Sequence, residues 1–199
     1  ERPLARSVVA RHRFGRLFSL GDRNSPDAWS PALILSSEDE KLSYSIAPFE
    51  FSRDSTSLPA KLTIKTRTNL TLPFDSLDTW VATEGLVLPP SLVESNSGEF
   101  AIGKEILPVS WQSLHHDLSL NDESLVPSII ILTDAPQLAN QKGLLSEAIY
   151  IIRTRFPSSL IWTPGIGGPD NCAILTWMGV DLFDLARSRH ACSLGVLLT

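Results

Sequence analysis

Three aspartates stand where the chain leaves an apolar run. Asp134 follows Ile129-Ile130-Ile131-Leu132-Thr133, and Asp181 and Asp184 bracket Leu182-Phe183. A carboxylate at a strand end can act as a nucleophile, a base or a ligand for a polar substrate. Asp is also among the best helix N-caps, because its short side chain accepts from free backbone N–H groups. A helical pattern follows both Asp134 and Asp184, so each carries both readings; the role of Asp181 is open. Between the outer two lies Thr163-Pro164-Gly165-Ile166-Gly167-Gly168-Pro169. Gly165, Gly167 and Gly168 have no Cβ, so this backbone can approach a ligand closely or take positive φ. The turn feeds a helix start, whose free N–H groups favour an anion or a polar base edge. A tight strand-to-helix turn needs the same glycines, and on pattern alone that plainer role is favoured.

The elements that must position these residues are legible in the second half. Residues 127–136 form a continuous apolar run, as a strand covered on both faces requires. Residues 137–156 have helical spacing, with Leu138, Leu144, Leu145, Ala148, Ile149 and Ile152 mostly on one side. Residues 158–165 read as a second strand. Residues 169–178 read as a helix with Pro169 at its first position and Gly179 past its end. Residues 180–184 are a third strand, and 184–195 a helix capped by Asp184 and closed by Gly195. Val196-Leu197-Leu198-Thr199 reads as the start of a fourth. Alternating strands and helices predict a parallel sheet with right-handed crossovers. Ligands bind such sheets at the carboxyl ends of the strands. Three loops converge there, at 133–136, 163–168 and 181–184.

The first half reads as β-rich over 1–125. Residues 7–21 form a strand or hairpin, 30–37 a short apolar run, and 41–51 and 60–72 strands alternating with period two. Residues 73–125 give no clear periodicity, and Ser95–Phe100 reads as a loop. The chain has 199 residues, 43% of them hydrophobic, enough for one large domain. A net charge of −5 argues against broad non-specific binding to nucleic acid. Arg6, Arg11, His12, Arg13 and Arg16 nevertheless make a local basic stretch. Cys172 and Cys192 are too few for a disulfide framework and lack zinc-knuckle spacing; reduced thiols in or near the core, in a cytoplasmic protein, are expected. No run reaches membrane-spanning length, and no signal peptide is visible. His115-His116-Asp117 suggests a metal site only superficially; a surface loop is expected, and no metal. A chain that starts with Glu and stops after an apolar tetrapeptide reads as a trimmed piece.

Gly165-Ile166-Gly167, Pro169 and Gly179-Val180-Asp181-Leu182-Phe183-Asp184 resemble a segment of the tRNA-guanine transglycosylase family. That family carries a Gly-Val-Gly-x-Pro turn, a helix, then Gly-(Val/Ile)-Asp-Met-Phe-Asp. The spacing agrees: Gly165 to Asp184 is 19 positions (184 − 165). Trp162-Thr163-Pro164 stands in place of the family's usual Tyr-Leu-Met. Ser30-Pro31-Ala32-Leu33 resembles an early Thr-Pro-Ala-Phe strand, and Arg13-Phe14-Gly15-Arg16-Leu17 the hairpin before it. Ser95–Phe100 is distantly similar to Thr-Asp-Ser-Gly-Gly-Phe.

The resemblance implies a TIM-barrel α/β fold, incomplete or degenerate, in a single domain over 1–199. It implies exchange of guanine in tRNA for a 7-deazaguanine base, as in queuosine or archaeosine formation. Asp184 falls at the nucleophile position, and Gly165, Ile166, Gly167, Gly168, Asp134 and Asn96 are the expected substrate-binding residues. Asn96 stands where the family's second essential acid should be, and asparagine cannot serve as a general base. The Gly-Gly-Leu base-recognition turn is not found near Asp134. The C-terminal zinc site is absent from these residues, so no cofactor is expected within them. The chain is also shorter than the ~250 residues of a typical barrel. Archaeosine synthase-like proteins carry such a degenerate domain. The partners implied are tRNA, a guanine or 7-deazaguanine base and a second copy as a homodimer, with no membrane. Two other readings stand: a non-catalytic domain that positions tRNA, and an unrelated α/β-barrel enzyme with Asp134 and Asp184 as a carboxylate pair.

Overall fold

The computed structural model describes residues 4–36, 39, 47, 49–52, 62–66, 83–87 and 106–199. Three strands, β1 (Arg6–His12), β2 (Gly15–Gly21) and β3 (Pro26–Ser30), form an antiparallel sheet in that order. Eight more form a second sheet: β4 (Ala32–Ser36), β5 (Phe49–Ser52), β6 (Leu62–Thr66), β7 (Thr83–Val87), β8 (Ile106–Val109), β9 (Ile129–Leu132), β10 (Leu160–Trp162) and β11 (Leu182–Phe183). Across that sheet the order is β7-β6-β5-β4-β11-β10-β9-β8. All neighbours are parallel except β6 and β7. Every strand but β7 therefore pairs with the next in the chain, and the last, β11, pairs with the first, β4. The two edges, β7 and β8, approach each other without a hydrogen-bonded ladder.

Side-chain alternation divides the core in two. On one face Ile34, Phe49, Ile106, Ile129, Ile131, Leu160, Trp162 and Leu182 pack against Leu4, Phe18, Leu20 and Ala28 of the antiparallel sheet and the segment leading into it. On the other, Ile130, Leu132, Ile161 and Phe183 pack against helices. Those helices are α1 (Trp111–His116), α2 (Ala135–Ala139), α3 (Leu144–Arg155) and α4 (Cys172–Met178); a further helix, α5 (Ala186–Ser193), follows β11. The antiparallel sheet is tied to the amino ends of the parallel strands. Arg6 donates from Nε to Ser158 O at 2.6 Å and from Nη2 to Pro127 O at 3.1 Å. Arg16 donates to Pro157 O and Ser159 O, each at 2.8 Å. The carbonyls that precede β9 and β10 lack strand partners, and these guanidinium groups supply the donors.

Several expectations need correction. The single helix over 137–156 is two, separated at Asn140–Gly143; Gly143 takes φ 82°, outside helical space. The helix over 169–178 starts at Cys172, because Pro169 sits in the preceding turn and Asn171 takes the cap position. Residues 196–199 form no strand, and Leu197 is 82% exposed. Gly195, at φ 68°, instead closes α5: Val196 N–H donates to Ala191 O and Gly195 N–H to Cys192 O, the paired bonds of a Schellman end. Residues 73–125 hold β7, β8 and α1, the last opened by a capping box in which Ser110 and Ser113 exchange hydrogen bonds. His115 and His116 lie on that helix rather than in a loop. Both cysteines are exposed, on outward faces of α4 and α5, rather than in the core. No helix among the described residues is long and apolar enough to cross a membrane.

Candidate functional site

The inward-facing alternation of β11 (Leu182 in, Phe183 out) turns Asp184 toward the interior at the carboxyl edge. Asp184 is 4% exposed, and three donors surround its carboxylate. Trp162 Nε1 donates to Oδ2 at 3.0 Å, Gly165 N–H to Oδ2 at 2.9 Å, and Ala186 N–H to Oδ1 at 3.0 Å. Burial raises the pKa of Asp184 above the ordinary carboxylate value, and the three donors oppose that rise. The bond to Ala186 serves the start of α5, so the capping role is present beside any chemical one.

The glycine turn is fastened at both ends. Gly165 takes φ 79°, which lets its N–H point at Asp184. Asn171 bridges the turn, accepting from Gly168 N–H and donating to Ile166 O, both at 2.8 Å. Arg187 of α5 forms two bonds to Asp170, at 2.6 and 2.8 Å. Gly167 lies against the Phe183 ring: a Cβ there would meet Cδ1 at 2.9 Å. Ile166 is buried among helix-side apolar residues. A cavity of about 370 Å³ opens beside the turn, lined by Pro31, Leu33, Gly167, Cys172, Phe183 and Asp184 among others. That volume is within the range of small-molecule sites.

Asp181 has a separate task. It is fully buried at the amino end of β11, ion-paired with the buried Arg16 and accepting from Ile161 N–H at 2.9 Å. Burial pushes its carboxyl up to about 6, with Arg16 pulling the other way. Arg16 also lies over the Phe18 ring at 4.7 Å from its centroid. The Arg16–Asp181 pair escapes a sequence reading, because the two residues are 165 apart in the chain.

Asp134 turns the other way. It follows the outward-facing Leu132 by two positions, and its Oδ2 accepts from Trp111 N–H at 2.9 Å. It therefore serves the first turn of α1 rather than α2, to which its side chain makes no capping bond. Asp134 and Asp184 thus face opposite sides of the sheet, with β10 between their strands, and they make no carboxylate pair. Asn96 lies outside the described residues. His115 Nδ1 lies 2.8 Å from Trp111 O. No group of three His, Cys, Asp or Glu suited to a metal ion occurs among the described residues. Comparison with family models, with curated proteins and with solved structures returns no match.

Proposed function

We propose that the chain is a transglycosylase-like α/β-barrel domain acting in the 7-deazaguanine modification of tRNA. One observation carries the reading. The 2.9 Å bond from Gly165 N–H to Asp184 Oδ2 joins the glycine turn to the second motif at the carboxyl edge of a parallel sheet. The strand order supports the barrel: a sequential sheet whose last strand pairs with its first needs only a hydrogen-bonded ladder between β7 and β8, which already approach each other, to close. One cluster drawing on β4, β5, β8, β9, β10 and β11, with no helix residue in it, suits a barrel interior. The cavity beside Gly167 and Asp184 is the base seat in this reading. The ionised Asp184 attacks ribose C1′, the glycosidic bond breaks, and guanine leaves with the bonding pair and takes up a proton from water. The incoming base then attacks C1′ through its ring nitrogen, gives up that nitrogen's proton to water, and the carboxylate leaves with the C1′–O bonding pair.

A second reading, a non-catalytic domain that positions tRNA, draws on the same carboxylate. Both oxygens of Asp184 accept hydrogen bonds, and its burial leaves little room for a ribose. Incubation with tRNA and a guanine analogue that cannot complete exchange, followed by a denaturing gel, separates the two. Exchange predicts an RNA-linked band in the wild type that Asp184→Asn abolishes. RNA binding without any band leaves the positioning role and rejects exchange.

A further inference from the structure

The tip of the β1–β2 hairpin and the adjoining faces of α3 and α4 combine exposed aromatic rings with cations. Phe14 is 46% exposed, Tyr150 59% and Trp177 48%. Phe14 meets Tyr150 edge-on, with centroids 6.3 Å apart. Arg153 donates to Phe14 O, and Gly179, just past α4, packs against the same carbonyl and the Arg153 side chain. Gly15 lies against the Thr176 carbonyl next to Trp177. Hairpin, α3 and α4 are thus one rigid surface.

Its charge runs against that of the whole chain, which is −5. Arg11, His12 and Arg13 are consecutive and exposed. Arg11 is near enough to Arg153 for the two charges to repel. Burial and Arg16 lower Arg153 to about 10, so it stays charged at neutral pH. The nearest acid on α3 is Glu147, one turn before Tyr150. Arg13 takes φ 57° in the two-residue turn, which fixes how the tip presents its side chains.

We propose that this surface binds a single-stranded segment of RNA, with Trp177, Tyr150 and Phe14 as stacking platforms and Arg11 and Arg13 as phosphate contacts. Unstacked bases pack on exposed aromatic faces whatever their sequence, and neighbouring cations follow the backbone. A protein partner would suit the rings but not the unbalanced positive charge. The surface sits at the amino edge of the parallel strands, opposite Asp184. It rests on the proposed function only in taking RNA as the polyanion.

Fluorescence anisotropy of a labelled single-stranded RNA oligonucleotide, titrated with the full chain at several salt concentrations, tests it. Trp177→Ala should weaken binding about tenfold, the scale of one lost stacking platform. The double variant Arg11→Glu, Arg13→Glu should weaken binding and flatten the log–log salt slope by about 1.4, two contacts' worth on a single strand. Wild-type affinity and slope in both variants would overturn the proposal, as would no RNA binding by the wild type at low salt. A wild-type dimer that the double variant dissolves, with RNA binding unchanged, would make this a contact between copies and also overturn it. The two ideas fail separately. A covalent band with patch variants binding normally removes only the patch, and patch-dependent binding without a band removes only exchange.

Discussion

Asp181 and Asp184 are two buried carboxyls three residues apart with different surroundings. Asp181 is ion-paired with a buried guanidinium, whereas the hydrogen bonds to Asp184 come from neutral donors and Arg189 acts on it only through space. Removing the acid in Asp181→Ala would strand Arg16 in the interior. A loss of about 3–5 kcal/mol in urea unfolding is expected, and also replacing Arg16 with Met restores only part of it, because the Pro157 and Ser159 carbonyls then lose their donor. The pair has a pH signature too. The folded pKa of Asp181 is about 6 against an ordinary 3.8. Between those values the folded chain retains a proton that the unfolded chain has lost. This group's contribution is therefore full below 3.8 and falls as pH rises toward 6. The Asp181→Asn variant should lack that slope when melts at several pH values are compared. At Asp184, Trp162→Phe keeps an aromatic ring in the core but deletes a donor to the carboxylate. The carboxyl should then titrate higher still, because fewer hydrogen bonds favour its charged form. The ¹³C shift of the Asp184 carboxyl against pH reads this directly; an unchanged titration would mean the indole bond is absent in solution.

At the scale of elements, the positive-φ glycines divide by what surrounds them. Gly143 has φ 82° and open space around it, so Gly143→Ala meets only backbone strain, about 1 kcal/mol. At Gly179, φ 118° combines with a Cβ position 2.8 Å from Arg153 Nη1, so Gly179→Ala should cost more than Gly143→Ala. Thermal melts of the two variants rank them. The strands β9, β10 and β11 and the helix stop at Gly179 were legible in sequence, because continuous apolar runs and C′ glycines are local signals. Helix starts were not, since Asn171 and Leu185 hold the cap positions with no side-chain capping bond. The strand at Ile106–Val109 was hidden by Pro108, which usually argues against a strand and is tolerated at this edge. The fourth strand expected to start at 196–199 is absent because Gly195 turns the chain after α5.

For the whole molecule, the antiparallel sheet works as a plug. Leu4, Phe18, Leu20 and Ala28 complete the inner cluster, while Arg6 and Arg16 satisfy the carbonyls around it. Phe18→Ala should therefore unfold the chain as one unit, costing about 3–5 kcal/mol in a single denaturant transition. A separate early transition would mean the plug folds apart from the large sheet. None of this long-range assembly shows in local pattern: Arg6 and Arg16 read as surface charges in sequence and are structural in the fold. The site itself was half legible. Glycine turn and Asp184 do meet, as the convergence of loops at the carboxyl edge of a parallel sheet implied, whereas Asp134 turns to the opposite face because alternation along β9 carries it there.

In the proposed function, RNA engages the carboxyl edge through the glycine turn. Hydrogen exchange of the Gly165, Gly167 and Gly168 amides, with and without tRNA, tests it most directly under either reading of Asp184. Slower exchange is expected at these amides when tRNA is bound, together with slower exchange at the hairpin tip. Protection that appears only elsewhere, with the turn exchanging as in the free chain, would contradict it.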